Sequence, residues 1–119
     1  MRVSNPSQQM SDLLEFDPTK LYHKMVEAGN DWADKQAAYQ VLDDTRNTVL
    51  ARLMQASKAP SVAAKEIDAK ASKEYEQHIK AAQEAQSAAL KARVKYDAIR
   101  TWIDLQRTRA ANERALTKL

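Results

Sequence analysis

Cysteine is absent from this chain of 119 residues, so disulfide stapling is excluded and nothing in it requires an oxidising compartment. Glycine occurs once, proline three times and phenylalanine once. A β-rich fold needs turn residues at regular spacing and β-branched or aromatic runs, and the sequence supplies neither. No apolar run approaches the ~20 residues that span a bilayer. The stretch from Met1 to Ser11 is polar and lacks the apolar core of a signal peptide. A cytosolic protein without a membrane anchor is the expectation.

What is present is helical text. Alanine is used heavily, and Lys, Glu, Gln, Arg and Leu fill most other positions, all residues that lose little side-chain entropy in a helix. The fold expected is all-α. Its core is a long antiparallel helical hairpin, coiled-coil-like, with a short helix between the two arms.

The punctuation sets the boundaries. Residues 1–17 read as a flexible N-terminal tail without a period, apart from the small apolar group Met10, Leu13, Leu14 and Phe16. Asp17-Pro18 is a helix start, with Asp as N-cap and Pro at the first helical position. From there Leu21, Met25, Ala28, Trp32, Tyr39, Leu42, Val49 and Leu53 recur at alternating four- and three-residue steps until about Ser57. Lys35 and Arg46 fall on the same seam. Gly29-Asn30 weakens propensity, but the stripe keeps its phase across them, which favours one continuous helix. Pro60 breaks the pattern, and Ser61 can cap a short helix over Val62 to Ala71. Ser72 can cap the last helix, about Lys73 to Thr117. Its seam reads Tyr75, Ala82, Ala89, Tyr96, Ile103 and Ala110, with His78, Ala85, Ala92, Ile99 and Gln106 three residues on from the first five. Residues 18–119 thus form one hairpin domain. Stripes this long are hard for two helices to cover, so the hairpin is expected to pair with a second copy in a dimeric bundle. Lys35, Arg46, Gln86 and Gln106 would help to fix the register.

No catalytic constellation emerges. His23 and His78 lie far apart and in no metal-ligand spacing, and His78 reads as a seam residue satisfied by a neighbouring carboxylate. Asp43-Asp44 reads as a solvated face, and Glu74 and Glu76 complement the dipole of a helix start. There is no phosphate-cradling glycine loop and no nucleophile elbow. A non-enzymatic protein is expected, with no catalytic residue, metal, cofactor or small-molecule substrate.

Charge is the one asymmetry. The formal net charge is +3, yet residues 90–119 alone carry eight Lys or Arg against three acids. Arg93, Arg100, Arg107 and Arg114 repeat every seven residues beside the seam, and Lys91, Lys95, Trp102 and Arg109 lie on a nearby face. Such a ladder can track a phosphate backbone, with Trp102 stacking on a base. It can instead lay its stems over the core and pair with acids of a neighbouring helix, or meet an acidic protein partner. Asp97 and Asp104 partly neutralise it in place. Trp102, off the main seam, either covers a second packing layer or stands exposed as an interface anchor. Candidate binding residues are therefore Arg93, Arg100, Trp102, Arg107, Arg109 and Arg114.

Several runs add a resemblance. Leu21-Tyr22-His23, Trp32-Ala33-Asp34-Lys35 with Ala37-Ala38, Ser61-Val62, Ala69-x-Ala71-Ser72-x-Glu74-Tyr75-x-x-His78 and Ala92-x-Val94-Lys95-Tyr96 resemble small helical proteins of tailed bacteriophages and prophages. These cover most of residues 20–105, and leave out the stretch before Asp17 and the arginine-rich end after Arg107. Proteins of that kind are encoded among genes for recombination, single-strand annealing and replication. The resemblance implies an accessory protein of phage DNA metabolism in the bacterial host cell, and supplies no catalytic residues. The expectation is a protein that binds a recombination or replication protein, with weak DNA contact through the basic end as a further route. Two alternatives stand beside it: a coiled-coil assembly or scaffold factor, and an inhibitor of a host nuclease or defence complex acting by protein contact.

Overall fold

A computed structural model describes residues 17–118, and the expected tail, with Met10, Leu13, Leu14 and Phe16, lies outside the described residues. The described residues form three helices: α1, Pro18–Ala56; α2, Val62–Ala71; and α3, Lys73–Thr117. The fold is all-α, a long helical hairpin with a short helix between its arms. Among the described residues no helix is long and apolar enough to cross a membrane.

Each boundary has a local cause. The Asp17 carboxylate accepts from the backbone N–H of Thr19 at 3.1 Å and of Lys20 at 3.3 Å, satisfying donors that the first turn cannot. Ser61 does the same for α2, its Oγ accepting from the Ala64 N–H at 3.1 Å. Ser72 works in both directions. Its hydroxyl donates to the Ala69 carbonyl at 2.6 Å and accepts from the Tyr75 N–H at 3.2 Å, so one residue closes α2 and opens α3. Between α1 and α2, Ser57 donates to Asp68 at 2.7 Å and accepts from the Ala59 N–H at 3.2 Å, which ties the turn to α2.

The chain divides into two compact units: one holds the segment up to Asn30 with Arg93 onward, the other is Asp31–Ala92. In the second unit the His78 ring nitrogen Nε2 lies 2.8 Å from the Leu42 carbonyl, and Arg52 pairs with Glu74. Descending α1 from Arg52 to Leu42 thus corresponds to ascending α3 from Glu74 to His78, the antiparallel order of a hairpin. A carbonyl only accepts, so Nε2 of His78 carries the proton. The expected carboxylate partner is replaced by a backbone carbonyl; Asp43, next to Leu42, lies 3.7 Å from Arg46.

In the first unit Leu21 is the most deeply buried large side chain, at 1 % exposure, with Ala28, Ile99 and Gln106 also buried. Here α1 runs through Gly29-Asn30 without a break. The Tyr96 ring packs against Gly29: a Cβ added there would stand 3.4 Å from Cε2 of Tyr96, at van der Waals contact.

The seams fall where the periodicity places them, with two exceptions. Every α3 seam residue, from Tyr75 to Ala110, is buried or half-buried, and so are the α1 seam residues apart from Arg46. Arg46 is exposed and reaches back to Asp43 at 3.7 Å; its long stem lets the guanidinium stay in water, where its charge is cheapest to hold. Gln86, expected to help fix register, is exposed too, while Gln106 is buried. Lys35 stays half-buried because Asp31 accepts from its ammonium at 2.8 Å through both oxygens.

Gly29 lends itself to a stability test. Its φ is not positive, so alanine fits the backbone, and the added methyl meets the Tyr96 ring at ordinary contact distance. Gly29→Ala should stabilise the protein by about 0.5–1 kcal/mol, read from urea unfolding, through helix propensity. A loss of stability would mean that Tyr96 is held too rigidly to accommodate one methyl.

Candidate functional site

The candidate site is the C-terminal part of α3, within the first unit. At roughly 100° per residue, positions seven apart stay nearly in line, and each step climbs about 10 Å. Arg93, Arg100, Arg107 and Arg114 therefore form a line along one flank of the seam. All four are exposed. Arg93 lies 3.8 Å from Asp97. Arg100, Arg107 and Arg114 make no ion pair among the described residues. Asp104, expected to neutralise part of the ladder, pairs with none of them; its backbone carbonyl accepts from the Thr108 hydroxyl at 3.1 Å. From Ala111 to Lys118 every side chain is exposed, so Arg114 projects from a stretch of helix open on all sides.

The other candidates lie elsewhere on the same helix. Lys95, Trp102 and Arg109 follow one another at seven-residue steps on the opposite flank of the seam, roughly 140–160° around the axis from Arg100 and Arg107. Arg109 is held by Glu113 at 3.3 Å. Lys91, also exposed, belongs to the Asp31–Ala92 unit. The structure thus assembles the four arginines and does not bring Trp102 to them. One strand of nucleic acid lying along the arginine line would not reach the indole face. This separation is contained in the spacing itself, since two residues of helix turn a side chain through roughly 200°.

Trp102 is not an exposed anchor. It is half-buried, and its indole Nε1 is buried without a hydrogen-bond acceptor. Between the two readings open from sequence, the structure favours packing. Leaving such a donor unsatisfied costs about 1–3 kcal/mol.

No protein-family model matches the chain, and no curated protein or solved structure matches it.

The other polar residues singled out from the sequence lie apart from one another along the helices. His23 is exposed, with its ring edge-on to Tyr22 at 6.1 Å. Asp44 accepts from the Gln40 amide at 2.9 Å, and Glu74 pairs with Arg52. Among the described residues no group of His, Asp and Glu side chains is placed to hold a metal ion.

The unsatisfied indole gives the next test. Trp102→Phe removes the orphan N–H while keeping most of the aromatic packing, so thermal stability should hold or rise, by up to about 1 kcal/mol. A fall of more than about 2 kcal/mol would show that the indole N–H makes a contact worth keeping.

Proposed function

We propose that this protein is a non-enzymatic binding protein that works as a homodimer in the cytosol and engages an acidic surface of a DNA recombination or replication protein. The observation that carries the reading is the line of Arg100, Arg107 and Arg114, exposed on one helix and without ion pairs among the described residues. Guanidinium groups recognise carboxylates and phosphates in planar, bidentate fashion, and three of them on a fixed pitch favour an extended anionic surface. The setting in phage DNA metabolism rests on the resemblance of the sequence runs between Leu21 and Tyr96. A role in assembly alone, without a second protein, would leave these arginines unused.

A protein partner ranks above DNA for a geometric reason. Sequence-tolerant binding of single strands combines a basic track with aromatic platforms beside it, and Trp102 sits across the helix from the track with its indole half-buried. Direct DNA contact is left with phosphate contacts alone, which are weak and steeply salt-dependent.

The experiment is affinity capture from infected cells, with and without nuclease treatment, using the unmodified chain and a triple Arg100→Ala, Arg107→Ala, Arg114→Ala variant. The unmodified chain should retain a protein partner after nuclease treatment. The triple variant should lose at least about tenfold in capture, about 1.4 kcal/mol, with its melting temperature unchanged. Unchanged capture would remove the arginine line from the interface. A partner lost on nuclease treatment, together with DNA binding at about 50 mM salt that fades steeply on adding more, would favour the nucleic-acid reading.

A further inference from the structure

In the first unit α3 outruns α1. The first helix leaves this unit at Asn30 and α3 enters it at Arg93, so the two run in opposite senses there, with Gly29 against Tyr96. Eleven residues back from that contact, α1 begins at Pro18. Eleven residues on, α3 has reached Arg107 and has ten more to run, about 15 Å. Burial agrees: Ala110 is half-buried, and every side chain from Ala111 to Lys118 is exposed.

The flank of this overhang that carries Arg107 and Arg114 is basic and shallow. Ala110 and Ala111 lie between the two arginines, and Ala115 and Lys118 follow beside them. The nearby acids of the described residues are engaged or set back. Asp17 caps α1, Glu113 holds Arg109 on the other flank, and Asp104 sits a turn before Arg107 without pairing to it.

What the chain itself brings to this level is acidic and apolar. The sequence just before Asp17 reads Met10-Ser11-Asp12-Leu13-Leu14-Glu15-Phe16, two acids and four large apolar residues with no base. Its attachment point, Asp17, stands level with Arg107. Asp12 is five residues from that point, a reach of up to about 17 Å, and Arg114 lies about 10 Å beyond Arg107. Both acids can therefore meet the arginines. We propose that residues 10–16 dock on this flank of α3, with Asp12 and Glu15 against Arg107 and Arg114. The apolar side chains then lie over the alanines and the arginine stems. The tether selects the occupant. Exposed carboxylate–guanidinium pairs are individually weak, but a connection of a few residues holds these acids at an effective concentration on the order of millimolar. An acidic surface of another protein must displace the segment to reach Arg107 and Arg114. That consequence rests on the proposed reading of the arginine line; the docking itself does not.

The cysteine-free sequence makes the test direct. In the full chain, Ser11→Cys is combined either with Ala111→Cys, beside the arginines, or with Asn112→Cys. The latter lies equally far along α3 but roughly 140–160° around the axis from Arg107 and Arg114. Oxidised at low protein concentration, the Ala111→Cys pair should close its intramolecular disulfide at least about tenfold faster than the Asn112→Cys pair. Asp12→Lys with Glu15→Lys should abolish that preference, and adding Arg107→Glu with Arg114→Glu should restore it. Closed by the disulfide, the Ala111→Cys pair should bind poly-L-glutamate at least about tenfold more weakly than when reduced.

Equal closure rates for the two cysteine pairs, or a preference for Asn112→Cys, would overturn the docking. A preference that survives the charge reversal would remove the arginines from the contact. Disulfides formed mainly between molecules would assign the surface to the segment of a second copy and overturn the intramolecular contact. Equal binding of poly-L-glutamate by the closed and reduced forms would overturn the displacement. No binding by either form would count against the proposed reading of the arginine line and leave the docking, which the closure rates decide.

Discussion

Close contact along the α3 seam is the constraint on which the rest depends. Through the Asp31–Ala92 unit the seam is lined by Ala82, Ala85, Ala89 and Ala92, with bulky residues reserved for its ends. Alanine adds little apolar area, so the stabilisation per residue comes less from transfer out of water than from dispersion between backbones and side chains that approach closely. The large rings sit on α1 at this level, where Trp32 and Tyr39 are half-buried. In the other unit the pattern is reversed at one point: Gly29 of α1 is the small residue, and Tyr96 of α3 is the ring against it. The small-against-large contact of Gly29 with Tyr96 fixes which face of α3 the seam takes there, and from that follows which flank of the helix is left for the arginines.

Ion pairs contribute little to this arrangement. Lys35–Asp31, Arg46–Asp43, Lys70–Glu66, Arg93–Asp97 and Arg109–Glu113 all join residues three or four apart on one helix. Such pairs between neighbouring turns add little, because each charge keeps much of its contact with water. The Glu66 carboxylate, which accepts from Lys70, holds that ammonium's pKa above its ordinary value, without linking one element to another. Among the described residues, the Arg52–Glu74 pair and the His78–Leu42 hydrogen bond reach from one long helix to the other. Surface charge in this protein therefore adds little to how the helices fold.

Most of the fold was legible because it is written in local terms. Asp17-Pro18, Ser61 and Ser72 announce helix ends by cap chemistry, and the α3 seam follows from a period that never breaks. What was not legible depends on contacts distant in sequence. That His78 meets a carbonyl thirty-six residues away cannot be read from its neighbours. Arg46 keeps the phase of the seam but not its burial, because periodicity places a Cα and a flexible stem decides where the charge ends. The candidate site divides the same way. The arginine line is legible as a seven-residue repeat, and so, from helix geometry, is the position of Trp102 across from it. The burial of the indole Nε1 required the packed structure.

The central claim, that stability resides in the small-residue seam, is tested most directly by adding the same side chain at two alanines of α3. Ala89 is 2 % exposed in the seam, and Ala111 is exposed on the same helix. Alanine and leucine differ little in helix propensity, so a comparison of Ala89→Leu with Ala111→Leu isolates the packing term. Urea unfolding should show a loss of about 1–3 kcal/mol for Ala89→Leu, as overpacking forces the helices apart, and a change within about 0.5 kcal/mol for Ala111→Leu. Equal effects at the two positions, or a gain at Ala89, would contradict the account.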